Sequence, residues 1–175
     1  MKVLETERLV VRPFRAEDLD GLAAVAADPE VMRYVGDGRP ITREQARAWV
    51  ERSLENYARR GFGSFAVTLK GDESRLIGYC GLVNPTPEGE AEIIYGFAKP
   101  YWGRGFAREL AGPLLAYGLG PCSLRRIVAT IDPENAASIR VVERWGMKLV
   151  EQRLDEHGLP EAVYVVERPR GDRDA

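Results

Sequence analysis

The chain has 175 residues, 45% of them hydrophobic and 30% charged, and this length and composition predict one compact globular domain. A net charge of −2 disfavours a nucleic-acid-binding surface. No apolar run approaches the roughly 20 residues of a membrane span, and residues 1–5 lack the apolar core of a secretory signal, so a cytoplasmic protein without membrane attachment is predicted.

Cysteine and histidine are scarce. Cys80 and Cys122 lie in apolar segments, and His157 is the single histidine. These residues are too few for a structural zinc site, and no Cys–His pair is spaced for nucleophilic catalysis. We therefore expect two free cysteines and no metal.

The N-terminal part of the chain predicts one strand followed by helices. Residues 8–13 have strand character, and residues 17–27 carry apolar side chains at helical spacing. Asp28 and Pro29 are a capping residue and a first helical residue, so a helix restarts there. Thr42 and Gln45 form a capping box, which predicts a longer helix over 43–60 that ends at Gly61.

Short strands follow in the second part of the chain. Three strands at 62–70, 75–83 and 91–98, joined by turns, predict an antiparallel meander. A glycine-rich loop then opens an amphipathic helix. The remaining predicted elements are a strand at 126–131, a helix at 135–145 and strands at 148–154 and 162–166. The order βααβββαβαββ predicts a single α/β domain over residues 1–168, with a disordered tail at 169–175.

The loop after the meander has the sequence Trp102-Gly103-Arg104-Gly105-Phe106-Ala107. Its glycines allow a tight turn with converging N–H groups, and the helix that follows adds the positive end of its dipole. Both features favour a bound anion. The loop lacks the Lys-Ser/Thr of a nucleotide-binding P-loop and the third glycine of a dinucleotide-binding fingerprint.

This loop is similar to the acetyl-CoA loop of the GNAT acetyltransferase superfamily, Gln/Arg-x-x-Gly-x-Gly/Ala, with Trp102 in place of Gln/Arg. The run 101–107 resembles the RimJ/RimL-like branch, which includes acetyltransferases of ribosomal-protein N-termini. Further motifs extend the resemblance over nearly the whole chain, at residues 5–9, 28–32, 91–95, 135–140 and 145–147.

The resemblance implies the GNAT fold, an α/β fold of the α+β type whose mixed, mostly antiparallel sheet of about seven strands is flanked by about four helices. It also implies N-acetyl transfer from acetyl-CoA to a primary amine, with the cofactor in a cleft between the strands that end near Ala98 and Ile131. Coenzyme A leaves as the product, and no metal is required.

The resemblance further implies a set of cofactor-binding residues. The main chain at Phe97 and Ala98 is expected to pair with the pantetheine arm, and Asn135 and Ser138 to hydrogen-bond the arm and the sulfur. The Arg104 guanidinium adds a charge-assisted contact to a phosphate. The loop residues expected to bind the pyrophosphate, chiefly through backbone N–H groups, are Trp102, Gly103, Arg104, Gly105, Phe106 and Ala107.

Acetyl transfer needs a base, because an α-amine with a pKa of about 8 is largely protonated at neutral pH. Glu92 matches the position of the catalytic glutamate in histone-type relatives, and its other interpretation is a solvent-facing strand end. Glu156, in the predicted final turn, is the candidate by resemblance to RimL-like enzymes. Many GNAT enzymes place a tyrosine acid seven residues after the asparagine, where this chain has Val142, so Ser138 is the candidate beside the sulfur, with helix capping as its other interpretation.

The acceptor is left open by the sequence. A ribosomal-protein N-terminus, a polyamine, an aminoglycoside and an amino acid all remain candidates, and a homodimer is compatible with the resemblance. Met32, Tyr34, Val35 and Trp49 are either core residues or part of the acceptor pocket. Two other functions stay open, a catalytically silent acyl-CoA sensor and an interaction module that binds no CoA.

Overall fold

A computed structural model describes residues 2–169 and contains an eight-stranded sheet with five α-helices among these residues. The strands are β1 Leu4–Glu5, β2 Leu9–Arg12, β3 Ser64–Leu69, β4 Asp72–Val83, β5 Glu90–Phe97, β6 Arg126–Ile131, β7 Lys148–Leu154 and β8 Pro160–Glu167. The helices are α1 Asp18–Ala26, α2 Pro29–Met32, α3 Arg43–Arg60, α4 Phe106–Leu119 and α5 Ala136–Arg144, and a single 3₁₀ turn spans Lys99–Tyr101. Of the predicted tail, residues 170–175 lie outside the described residues.

The observed element order follows the predicted one, with two small corrections to the counts. Eight strands replace the expected seven because β1 is a two-residue strand, too short to leave an alternating pattern, that pairs with β2. Five helices replace the expected four because α2 is a separate turn of four residues. It begins at the predicted cap, where the Asp28 carboxylate accepts a hydrogen bond from the Glu30 N–H at 2.9 Å.

The strand order is β1-β2-β3-β4-β5-β6-β8-β7, and every neighbouring pair is antiparallel except β5–β6, which is parallel. Side chains alternate between the two faces of the sheet. On one face, Leu110 and Leu114 of α4 pack against Phe65. On the other face, Leu22 of α1 and Val50 of α3 share a core with neighbouring strand residues. The helices therefore cover both faces of the sheet.

The parallel pair β5–β6 is short and opens into a cleft. Its last pairing joins Glu92 to Val128, and within residues 2–169 the two strands have no pairing beyond it. Strand β5 continues to Phe97 against β4, while β6 continues to Ile131 against β8. The two strands thus diverge toward their carboxyl ends, at the position predicted for the cofactor cleft.

A buried ion pair fixes α1 on the sheet. Arg12 is 1% exposed, and its two terminal nitrogens contact the two Asp18 carboxylate oxygens at 2.7 and 2.9 Å. Asp18 also accepts the Arg15 N–H at 2.7 Å, which ties the start of α1 to the end of the β2 segment. This bidentate pairing satisfies both charges in a dry environment.

Cys80 is buried, Cys122 is partly buried, and both are free, as predicted. Within residues 2–169, no helix is long and apolar enough to cross a membrane. The same residues contain no group of three or more His, Cys, Asp or Glu side chains arranged to hold a metal.

Candidate functional site

The loop before α4 presents backbone N–H groups without partners. Gly103 and Gly105 have φ angles of 71° and 78°, a region that favours glycine. Among residues 2–169, no acceptor pairs with the backbone N–H groups of residues 103–108, and the next amide, that of Glu109, bonds the Gly105 oxygen at 3.0 Å. A Cβ at Gly103 would have no neighbour within 4 Å. The loop is therefore open, and its unpaired amides lie at the positive end of a helix, which suits a phosphate group.

The acidic residue in the first turn of α4 is neutralised from outside the helix. Glu109 accepts hydrogen bonds from the Thr6 hydroxyl at 2.5 Å and from the Arg8 N–H at 2.8 Å, and pairs with the Arg8 guanidinium at 2.6 Å. Burial raises the pKa of Glu109, but these hydrogen bonds and the Arg8 charge outweigh burial and lower it overall. The carboxylate is thus compensated and does not leave a free negative charge beside the loop.

A cavity of about 390 Å³ adjoins the loop and is lined in part by Gly105, Arg108, Arg144 and Trp145. The Trp145 indole donates a hydrogen bond to the Arg108 backbone oxygen at 2.8 Å. Neither Arg108 nor Arg144 forms an ion pair within the described part of the chain. Sequence reasoning missed these two guanidinium groups because nothing distinguishes them from solvated surface arginines before α4 and α5 are packed together.

Strand β5 offers an unpaired edge to the cleft. The Ala98 N–H bonds the Ile77 oxygen at 2.9 Å, so in the alternating antiparallel pattern the N–H groups of Tyr95 and Phe97 point away from β4, toward β6. The Phe97 oxygen accepts a hydrogen bond from the Trp102 indole at 2.7 Å. The Ala98 N–H, which was predicted to pair with the pantetheine arm, therefore already forms a hydrogen bond within the sheet. The Trp102 indole links the loop to β5 through its hydrogen bond.

Glu92 lies on β5 where the cleft begins, and its carboxylate is held by two other elements. One oxygen accepts a short hydrogen bond from the Thr130 hydroxyl of β6, and the other accepts from the Asn84 amide at 3.0 Å. Glu92 is partly buried and lies on the sheet face that carries α1 and α3, the face to which its neighbour Ile94 also belongs. Asn84 and Thr130 were not predicted; the only local signal is that each is polar and lies at or near the end of an apolar strand.

Asn135 and Ser138 do share one turn at the start of α5, as predicted. The Asn135 oxygen accepts the Ser138 N–H at 3.3 Å, and the Asn135 amide nitrogen donates to the Ser138 hydroxyl at 3.2 Å. Asn135 therefore caps α5 through the Ser138 N–H and also binds the Ser138 hydroxyl. Because α5 follows β6 directly, this pair lies beside the mouth of the cleft.

The structure does not bring Glu156 to Glu92. Glu92 is level with Val128, which pairs with Val165 of β8, whereas β8 begins only at Pro160. Five residues of strand separate the two levels, or about 17 Å. Glu156 lies beyond Pro160 in the β7–β8 turn, with 86% of its side chain exposed. The two carboxylates are thus alternatives and do not form a pair.

Of the proposed pocket residues, Met32 is buried and Trp49 is partly buried. Met32 is 4% exposed. The Trp49 indole donates to the Ser64 hydroxyl at 3.0 Å and packs edge-on against Tyr79. The aromatic character of Trp49 is explained by this packing.

A cleft between diverging strands that ends at a loop of unpaired amides has a shape that fits an extended ligand with a phosphate group. Residues 8–148 match the family model described as an acetyltransferase (GNAT) domain. The chain belongs to the GNAT acetyltransferase family, and it is an acetyl-CoA-dependent N-acetyltransferase.

Individual relatives agree with this assignment. The N-acetyltransferase p20 of Bacillus licheniformis is 37% identical over 147 residues, which cover 81% of this chain and 80% of the relative. The crystal structure of a GNAT-family acetyltransferase from Bacillus anthracis superposes with a TM-score of 0.81 at 30% identity, covering 94% of this chain and 98% of that one. RimL, a ribosomal-protein α-N-acetyltransferase solved with coenzyme A, shares the fold with a TM-score of 0.82 at 15% identity, covering 95% and 98%. The predicted fold is thus confirmed.

Proposed function

We propose that this protein transfers the acetyl group of acetyl-CoA to a primary amine by direct attack in a ternary complex. The observation that supports this proposal best is the continuity between the cleft and the loop. The free amides of residues 103–108 lie at one end of the edge of β5 whose N–H groups face the cleft. An extended ligand with a phosphate group at one end and a thioester at the other matches this arrangement.

In this proposal the loop binds the pyrophosphate and β5 binds the pantetheine arm. The amides from Gly103 to Ala107 donate to phosphate oxygens, and the exposed Arg104 adds a charged contact. The Phe97 N–H, which points into the cleft, is the donor for the thioester oxygen as negative charge develops on it. This role needs no movement of the strand, because the N–H has no other partner within residues 2–169.

Glu92 and Ser138 are proposed for the two proton-handling roles. The amine nitrogen attacks the carbonyl carbon and gives a proton to the Glu92 carboxylate, while the carbon–sulfur bond breaks and the Ser138 hydroxyl stabilises the leaving sulfur. Glu92 lies on the face of α1 and α3, whereas Ser138 lies on α5, which covers the other face. In this proposal the attacking amine and the leaving sulfur therefore interact with residues from opposite faces of the sheet.

The acceptor is proposed to enter from the sheet face that carries α1 and α3, because the Glu92 side chain lies on that face. The loop sequence 101–107 supports a place in the RimJ/RimL-like branch, and hence an acceptor that is a protein N-terminus or a small-molecule amine. The exposed Glu156 turn lies at the carboxyl end of β6 and is proposed to contact such an acceptor.

Free-thiol release from acetyl-CoA tests the proposal, measured with a panel of amines that includes ribosomal-protein N-terminal peptides, spermidine, an aminoglycoside and free amino acids. The expected result is thiol release that depends on one class of acceptor. A catalytically silent acyl-CoA module is the alternative, favoured by Val142 at the position of the usual tyrosine acid. Binding of acetyl-CoA in calorimetry without thiol release for any amine would support that alternative, and absence of binding at millimolar ligand would contradict both.

A further inference from the structure

Strand β7 is an edge of the sheet and is exposed along its whole length. It stands last in the strand order, and no strand of residues 2–169 pairs with its outer side. All seven of its residues are exposed. Leu149, Val150 and Leu154 are 47%, 56% and 65% exposed. Apolar side chains on an unpaired strand edge mark a surface to which another chain can add a strand.

The hydrogen bonds of the β7–β8 hairpin show which backbone groups of β7 point outward. The turn closes with a bond of 2.8 Å from the Asp155 N–H to the backbone oxygen four residues further on. Backbone groups alternate in direction along an antiparallel pair, so those of Arg153 and Glu151 face β8. The N–H and C=O groups of Gln152 and Leu154 therefore face the open side.

The charges on β7 are arranged so that the strand complements a second copy of itself. When two antiparallel copies are related by a two-fold axis at Gln152, the outward backbone groups of the two strands meet. In this register Glu151 of each copy lies directly opposite Arg153 of the other. Moving the axis to Glu151 or to Arg153 places like charges opposite each other. Charges usually protect an edge strand from pairing, but in this sequence they oppose only the shifted registers.

Arg153 is held at the edge with donors to spare. Its guanidinium donates to the Glu161 carboxylate at 2.7 Å and to Glu151 of the same copy at 3.2 Å, and its side chain is 48% exposed. An arginine has five N–H donors. The guanidinium is therefore oriented by its own chain and retains donors for Glu151 of a second copy.

The same register brings the exposed apolar side chains together. Leu154 of one copy lies opposite Leu149 and Val150 of the other, where a register shift in the β7–β8 pairing leaves Val150 as an extra residue. Lys148 of one copy lies beside the acidic residues 155–156 of the other. We propose that β7 joins two copies of this chain into a symmetric dimer, in which one continuous sheet runs through both.

Sedimentation velocity of the full chain tests this proposal over a dilution series in the micromolar range. We expect the wild type to form a dimer. Glu151→Arg or Arg153→Glu places like charges opposite each other at both symmetric positions, so the dissociation constant should rise at least about tenfold. An equimolar mixture of the two variants restores opposite charges at both positions and should dimerise again.

Arg52→Glu and Glu55→Arg are the matched controls. They make the same charge reversals at exposed positions of α3, which packs on β3 at a distance from β7 in the strand order. Both controls should keep the dissociation constant of the wild type. Leu154→Glu is a further variant that keeps the contact of Arg153 with Glu161, and it should also dissociate the dimer, because it places a charge against apolar side chains of the other copy.

Three results would overturn the proposal. One is a wild type that stays monomeric over the whole dilution series, which would leave this edge to a different protein or to solvent. The second is a dimer whose dissociation constant is unchanged by the β7 substitutions, which would place the interface elsewhere. The third is a mixture of the two charge-reversal variants that, although both are folded by circular dichroism, remains monomeric.

Discussion

Replacing Glu92 by glutamine separates the proposed base from the structural role of the same side chain. In the wild type the carboxylate accepts from Thr130 and, at 3.0 Å, from Asn84. The glutamine oxygen is able to keep the Asn84 bond, and its NH₂ group is able to donate to the Thr130 oxygen once that hydroxyl rotates. Both contacts survive the substitution, so the free energy of unfolding is expected to fall by less than about 1 kcal/mol.

The effect of Glu92→Gln on catalysis is expected to be much larger. Loss of a positioned general base lowers a rate about 10²- to 10⁴-fold, and we expect kcat for amine-dependent thiol release to fall by this factor. The affinity for CoA in calorimetry should stay unchanged, because the phosphate loop lies beyond the other end of β5. The deficit should shrink as the pH rises through the pKa of the acceptor, since a neutral amine no longer needs a base.

Thr130→Val is the matched control for this experiment, because it removes one hydrogen bond and keeps the carboxylate. We expect its kcat to fall by about tenfold, the equivalent of that bond. The expected loss is much larger than about twofold. The role of Glu92 as a base would be refuted if the Glu92→Gln protein folds, binds CoA and keeps its kcat within about twofold of the wild type. Glu92 would then be a strand-end residue that pairs only with its neighbours.

Three further predictions concern stability. Asp18→Asn breaks the buried pair with Arg12 and should cost about 3–5 kcal/mol in urea unfolding. Gly112→Ala places a Cβ 2.5 Å from the Trp145 ring and should cost about 1–3 kcal/mol, with recovery when Trp145→Leu is added. Because the folded-state pKa of Glu109 is lowered, its stabilisation is present above the unfolded pKa of about 4.3 and is lost as the pH falls through the folded value. The stability difference between the wild type and Glu109→Gln should therefore be constant from neutral pH down to about pH 4.3 and shrink below it, and a difference that does not change below about pH 4.3 would contradict this assignment.

Helix α3 shows which parts of the fold a sequence determines locally. Its predicted bounds coincide with the observed ones because both ends depend on nearby residues. The Thr42–Gln45 capping box supplies the first partner at its start, and Gly61 takes a φ of 76° at its end. Strand β1 shows the converse, since its two residues form a strand only through pairing with β2, at a register that no local pattern specifies.

The candidate site also contains a part that local sequence determines and a part that depends on strand pairing. The loop at Gly103 and Gly105 was predictable because its chemistry belongs to the backbone and to the following helix dipole. The contacts of Glu92 with Thr130 of β6 and with Asn84, which follows β4, were not predictable, because each depends on the register between neighbouring strands. Sequence reasoning therefore located the glycine-rich loop and missed the groups that hold the Glu92 carboxylate.

The unpaired amides of residues 103–108 are proposed to bind the pyrophosphate of acetyl-CoA. Hydrogen exchange of these backbone amides, measured with and without saturating coenzyme A, tests this claim most directly. These amides lack partners within the described chain, so they should exchange fast in the free protein and slow down strongly in the complex. Coenzyme A that binds, as shown by calorimetry on the same sample, while leaving the exchange of residues 103–108 unchanged would contradict it.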